Sequence, residues 1–302
     1  MSSDQLLNVS STVLLIGFIL LLITIIPLGL SVKSNKRIFS RIGLFLTYVS
    51  FILLLSYFIT RWIAVGHAPV SNMFEFMTFF GIMLIGSFIL IFHMYKQVVV
   101  GLFVIPISII IIGYGSVFSS DVSPLVPSLK SNWLAIHVIT VALSSAILSI
   151  SFATGIIYLL KVLDVSKKTV SSRALEFVMY CLVVVVGFIS TSTVFGFLME
   201  PISVVYIDVQ EQESKAIYEM YPIIANENKQ GEGIITISNR IDALKLNSIA
   251  WAFLIGTFIY IIIRLITRKS ISMLLKPLTT RVNANLMDEI SYRVVIIGFP
   301  LF

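Results

Sequence analysis

The chain has 302 residues, 58% of them hydrophobic and only 12% charged, with a formal net charge of +6 and a mean hydropathy of +1.02. No water-soluble domain carries so much apolar surface with so few charges, so a soluble globular protein is excluded and a polytopic helical membrane protein is assigned. The basic residues form no patch interleaved with aromatics, which excludes a nucleic-acid partner.

The amino terminus, MSSDQLLNVSS, holds Asp4 and no Lys or Arg, so the first apolar run is read as a retained helix and not as a secretory signal. Apolar runs follow near 12–30, 42–62, 76–94, 98–118, 133–160, 177–198 and 248–267. Each matches the length of about 20 residues that a helix needs to cross a bilayer. They are too long and too continuous for barrel strands, which alternate. An eighth run starts near Tyr292, but Val294–Phe302 (VVIIGFPLF) covers only about half a span. The predicted fold is therefore all-α, a polytopic transmembrane helical bundle of about seven complete spans plus the start of an eighth. Three regions are expected: helices 1–6 with short loops in 1–199, an extracytoplasmic loop in 200–247, and helix 7, a cytoplasmic segment and the start of helix 8 in 248–302.

The connecting segments carry the orientation. Lys and Arg after runs one, three and five and around the end of run seven number fifteen; the other side has six, from Arg61 to Lys245. The positive-inside rule puts the larger set in the cytoplasm and the amino terminus outside the cell membrane. Trp62, Trp133 and Trp251 then all stand at outer helix ends, as in an interfacial aromatic belt.

The outer loop AVGHAPVSNMFEF has a plain structural reading. Pro69 enforces an extended approach. Ser71 or Asn72 caps the next helix, and Glu75 stands three residues after Asn72, the spacing of a capping box. The next outer loop, SSDVSPLVPSLKSN, is irregular. The excursion from Glu200 to Asn247 holds eight of the fifteen acids. In it NENKQGEG reads as a flexible turn and GIITIS as a short strand, and the whole is too small and polar for an independent domain. On the inner side, Ser270 to Glu289 reads either as a broken amphipathic helix on the membrane surface or as a linker.

Few residues carry chemistry. HExxH, P-loop and GxSxG signatures are absent. Glu176 and Arg264 sit at inner helix ends where they reach water. With no carboxylate or histidine at mid-depth, a pump or a proton-coupled carrier is disfavoured, and a passive pore stays open. GYGS at 113–116 lacks the context of a potassium filter. Cys181 is the only cysteine, which excludes an internal disulfide, a CxxC pair and a cysteine metal cage; it is expected to be buried and inert. His93 lies at an inner helix end, His67 in an outer loop, and His137 in NWLAIHV, about 6 Å of helical rise from Trp133 and on the same face. His137 reads either as a metal ligand through one imidazole nitrogen or as a partner of a neighbouring helix. The three histidines lie at unmatched depths, so a haem held between two of them is excluded.

Three separated segments, RWIAVGHAPVSNMFEF at 61–76, SNWLAIHVITVALSSA at 131–146 and DEISYRVVIIGFPLF at 288–302, resemble the CcsA/ResC-type cytochrome c biogenesis proteins. These belong to the haem-handling superfamily that also contains CcmC and CcmF. The resemblance implies a subunit of a system II cytochrome c synthase. Such a subunit works with a ResB/CcsB-type membrane partner, carries haem b to the outer face as a substrate or transient ligand, and holds it for apocytochrome c, whose CxxCH cysteines add to the haem vinyl groups. It further implies that His137 is an axial haem ligand, that Trp133 is the aromatic beside it, and that Pro69, Ser71, Asn72 and Glu75 belong to the outer-loop motif near the haem platform; His67 receives no ligand role. The family's tryptophan-rich outer loop, second external histidine and a further membrane histidine follow the GFP segment and are missing from this sequence. The expectation is a truncated product or an incomplete gene model, inactive alone as a synthase. Two other readings stand beside this one, a channel or carrier without haem and a non-catalytic assembly scaffold.

Overall fold

The computed structural model describes all residues except 1, 35, 123–130, 168, 209, 211 and 228–232. The irregular loop expected around 119–132 and the turn expected at 226–233 therefore lie largely outside the described residues. Among the described residues seven helices are long and apolar enough to cross a membrane, and the fold class is that of an all-α polytopic membrane protein. These helices outrun the apolar sequence runs at most ends, because polar caps and short polar turns extend them beyond the hydrocarbon-length core. The chain divides into two compact units, Met1–Ser172 with Leu275–Phe302, and Arg173–Leu274.

In the first unit α1 (Ser3–Lys33) and α2 (Arg37–Val65) form an antiparallel hairpin. A capping box between Ser2 and Gln5 starts α1. Gly17 lies under Leu54 and Gly43 under Leu28, so the pair is in close contact along its length. A second hairpin joins α3 (Met73–Tyr95) to α4 (Val98–Gly115). Lys96, at φ 56°, ends α3 in the left-handed region and turns the chain. The second glycine of GYGS, Gly115, belongs to this packing: a Cβ there would stand 2.9 Å from the Cβ of Met77. The core is aliphatic and aromatic, with Leu21, Leu54, Ile85, Phe88, Ile105 and Ile157 essentially inaccessible.

The helix α5 (Asn132–Val162) packs on α3, α4 and α9 (Ala284–Gly298). The contact with α9 is antiparallel and marked by hydroxyls. Ser151 Oγ and Ser291 Oγ are 2.8 Å apart, and Ser144 Oγ donates to the Gly298 carbonyl at 2.8 Å. The same register places Phe302, at the end of a 3-10 turn over Phe299–Leu301, near the level of Thr140. The eighth apolar run is thus helical and runs along α5. The polar inner segment contains a short helix, α8 (Ile271–Leu275), followed by a 3-10 turn over Lys276–Thr279 with Pro277 in its first positions. Lys276 Nζ donates to the Leu163 carbonyl at 2.8 Å, tying that turn to the end of α5.

The second unit is built on α6 (Val170–Leu198) and α7 (Ala243–Thr267). Between them, β1 (Ile202–Ile207) and β2 (Glu213–Tyr218) pair antiparallel, with Val204 opposite Ala216. β3 (Ile224–Asn226) pairs in parallel with β4 (Ile235–Ile237), the strand expected in GIITIS. Val204, Ala216, Tyr218 and Ala225 make a small apolar core, and burial raises the Tyr218 phenol pKa above its ordinary value. Asn247 anchors this excursion to α7: its Oδ1 accepts from the amides of Ile223 and Ile224 at 2.9 and 3.2 Å, and its Nδ2 donates to the Tyr221 carbonyl. Trp251 Nε1 donates to the same carbonyl at 2.8 Å.

One expectation is corrected in this unit and another is extended. Cys181 is exposed on α6; in a membrane helix an apolar neighbourhood in sequence can face lipid as well as core. Glu176 is half-buried and is also held by the protein. Its carboxylate accepts from Tyr260 Oη, the amides of Ile271 and Ser272, and Ser272 Oγ, at 2.6–3.0 Å. It satisfies the otherwise unpaired amides at the start of α8.

Candidate functional site

The first unit has one end at which α2 and α4 finish and α3 and α5 begin, and the sequence-predicted site residues all lie there. α2 stops at Gly66, which takes φ 78°, a left-handed cap open to glycine at no steric cost. The following loop is short and pinned. Val70 N donates to the Ala68 carbonyl at 2.9 Å, Ala68 and Pro69 are buried, and the His67 ring turns its Nδ1 to the Ala68 carbonyl at 3.1 Å.

Asn72 caps α3, its Oδ1 accepting from the Glu75 amide at 2.8 Å. That is half of the expected capping box. In the other half the Glu75 carboxylate would return to the Asn72 amide. Instead Glu75 Oε2 accepts from Ser71 N at 3.0 Å and from Ser71 Oγ at 2.8 Å, and Oε1 accepts from Arg61 Nε at 2.8 Å. A buried guanidinium is a stronger partner than one more amide, and it draws the carboxylate away from its own cap.

Arg61 was counted from sequence as an outer-side charge. It lies inside α2, and the side chains of Arg61 and Glu75 are only 3% and 1% exposed. Its Nη2 donates to the Ser120 carbonyl at 2.7 Å, and its guanidinium carbon lies 5.5 Å from the centre of the Phe74 ring. Asn72 Nδ2 donates to the Asp121 carbonyl at 3.3 Å. One buried polar cluster thus joins the end of α2, the loop, the start of α3 and the segment after α4. The sequence signal for it was an arginine closing one apolar run (FITRW) and a glutamate opening the next (NMFEF), charges that consecutive antiparallel spans bring to one level. Beside the cluster, Leu14 and Phe18 of α1, Phe74 of α3 and Ile112 of α4 line an apolar groove of about 310 Å³.

His137 and Trp133 stand apart from this cluster on the first turns of α5. Both are exposed, Trp133 at 82%. Among the described residues His137 makes no hydrogen bond and no ion pair, so its imidazole is not taken by a neighbouring helix. No hydrogen bond or ring contact among the described residues links Trp133 or His137 to the 66–75 loop. His93, at the other end of α3, keeps Nδ1 on the Ile89 carbonyl at 2.8 Å and meets Tyr48 Oη at 3.4 Å. Among the described residues no group of three or more His, Cys, Asp or Glu is placed to hold a metal ion. Among the described residues, this end of the unit carries one imidazole without a hydrogen-bond partner, His137, with an aromatic on the same helix face. Such an arrangement has one nitrogen to offer a metal and lacks the three or more side-chain donors of an all-protein cage among the described residues.

Comparison with known proteins agrees with the resemblance drawn from the three segments. The chain is similar to proteins described as cytochrome c biogenesis protein CcsA. It is 33% identical over 163 residues to that of Trieres chinensis, covering 53% of this chain and 52% of the relative. It is 35% identical over 159 residues to that of Guillardia theta, covering 51% and 52%, and 34% identical over 104 residues to that of Gloeobacter violaceus, covering 33% and 31%. The chain spans about half the length of the curated relatives it matches first. No family model matches the chain, and no solved structure matches it.

Proposed function

We propose that this chain is a cytochrome c biogenesis protein, the haem-handling membrane subunit of a system II cytochrome c synthase. On this reading it lies in the cell membrane with its amino terminus outside. It receives haem b as cargo and presents it at the outer face to apocytochrome c, in company with a ResB/CcsB-type membrane protein. The similarity to CcsA proteins supports the reading. The single structural observation that carries it is the His137 imidazole, exposed near the start of α5 and free of protein partners among the described residues.

The roles divide by chemistry. Haem supplies the iron and the vinyl groups on which thioethers form. The His137 imidazole would offer one nitrogen to the iron. Trp133, on the same face, gives an apolar wall of the kind that orients a flat ring. Pro69, Ser71, Asn72 and Glu75 shape the neighbouring loop at the same end of the unit.

The test is co-expression with the ResB-type partner, purification, and an absorption spectrum of the complex. Wild type is expected to carry haem with a Soret band, and His137→Ala to lose most of it. Equal haem in the two proteins refutes the ligand assignment. Solute flux through liposomes that ignores haem supports a channel or carrier instead.

A further inference from the structure

We propose that Arg61 and Glu75 are positioning residues: their buried ion pair clamps the 66–72 loop and the 119–121 segment into one rigid floor at the haem-facing end of the first unit. The inference rests on the proposed haem-handling function for its purpose, and on geometry alone for the clamp.

The direction of the hydrogen bonds carries the argument. A pair that served only to join α2 to α3 would need nothing beyond the contact between Arg61 Nε and Glu75 Oε1 at 2.8 Å. Here each partner uses its remaining capacity on a connecting segment. The Arg61 Nη2 goes to the Ser120 carbonyl, and the Glu75 Oε2 goes to both the amide and the hydroxyl of Ser71. Asn72 repeats the pattern, capping α3 with its Oδ1 and holding the Asp121 carbonyl with its Nδ2. Residues 67–71 and 119–121 lie outside helices and strands, so only side chains, turns or water satisfy their backbone groups, and a side-chain partner fixes their position where water would not. The ion pair and its cap supply several such partners.

Stability alone does not call for such a pair. Two desolvated charges are, as a rule, no better for stability than well-packed apolar side chains of the same volume. Their distinct contribution is direction, since every bond fixes a donor, an acceptor and an angle. A planar guanidinium with five donors can hold a carboxylate and a carbonyl at once, which an apolar side chain cannot. A site that receives a large rigid cargo benefits when its floor is ordered beforehand.

The experiment separates positioning from folding. In a Cys181→Ser background, Val70→Cys places a thiol in the loop, and its labelling rate by a membrane-impermeant maleimide reports loop order. The double variant Arg61→Met with Glu75→Leu replaces the pair by apolar side chains. It is expected to accumulate in the membrane like wild type, to label at least about tenfold faster, and to show a diminished and shifted Soret band. Arg61→Lys keeps the charge opposite Glu75 but cannot also serve Ser120, and is expected to label several-fold faster. Its rate decides the matter if the double variant fails to accumulate. Labelling at the wild-type rate in whichever variant accumulates overturns the proposal. If wild type itself carries no haem, the functional reading fails, while the labelling rates still decide the clamp.

Discussion

A methyl group at Gly187 tests the packing of the second unit in a way that only this geometry predicts. α6 and α7 cross with their backbones touching. A Cβ on Gly187 would lie 2.5 Å from Gly256 N, 2.6 Å from Gly256 Cα and 3.0 Å from the Ala252 carbonyl oxygen; one on Gly256 would lie 2.6 Å from Val184 Cα. Comfortable contacts between such atoms are about 3.5–4.0 Å, so the methyl is about 1 Å short of room. The obstacle is main chain, which no rotamer change can move, and the two helices must separate. Overpacking of this kind costs about 1–3 kcal/mol. Helix propensity returns about 1 kcal/mol for Gly→Ala, leaving a net loss of up to about 2 kcal/mol, and a deficit of about 1–3 kcal/mol relative to a helical glycine with room for the methyl. In lipid, close van der Waals contact is a main source of helix association, so parting the crossing is not compensated elsewhere. Gly155 and Gly196 are the internal controls, because a Cβ at either meets no atom within 4 Å. Gly155→Ala and Gly196→Ala are expected to be neutral or slightly stabilising. The assay is unfolding of the purified variants in mixed micelles with increasing sodium dodecyl sulfate, followed by circular dichroism. If Gly187→Ala unfolds at the same midpoint as Gly196→Ala, the close crossing of α6 and α7 is wrong.

Three further outcomes follow from named contacts. Ser144→Ala removes the buried hydroxyl that donates to the Gly298 carbonyl; a loss of about 0.6–2 kcal/mol is expected for an interhelical bond in a membrane, read as faster amide exchange in α9, and unchanged exchange contradicts the docking of α9 on α5. Asn247→Leu strands the amides of Ile223 and Ile224 that its Oδ1 accepts, at about 1–3 kcal/mol for each group left unpaired and buried; proteolysis between β2 and β3 is expected to accelerate, and an unaltered cleavage rate counts against the anchor. Asp242 caps α7, and its hydrogen bonds from the side chain and then the amide of Lys245 hold its carboxyl pKa below the ordinary value. A depressed carboxyl pKa contributes stability that is present above the unfolded value of about 3.9 and is lost as pH falls through the folded value. The first turn of α7 is therefore expected to exchange faster below about pH 4 in wild type, with no such pH step in Asp242→Asn; because Asp242 and Lys245 are largely exposed, the contribution is below about 1 kcal/mol.

Much of the site was legible residue by residue, and its wiring was not. A cap of α3 at Ser71 or Asn72 followed from residue type and position; the structure selects Asn72. The destination of the Glu75 carboxylate did not follow, because a capping-box spacing is local and Arg61 is fourteen positions away. The exposure of His137 was likewise undecidable from its neighbours in sequence. It depends on which side of α5 is packed, and the packed side is marked by Ser144 and Ser151, which meet Gly298 and Ser291 of α9.

The number of spans, their helical nature and the resemblance to CcsA proteins came from the chain alone. In lipid a helix must satisfy its own backbone, so about 20 consecutive apolar residues have one solution whatever surrounds them. Tertiary structure alone decided which faces of those helices meet protein and which meet lipid. Both surroundings accept the same apolar residues, and for that reason Cys181 is exposed and Arg61 is buried. Hydropathy reads depth in a membrane; only packing against a partner tells one side of a helix from the other.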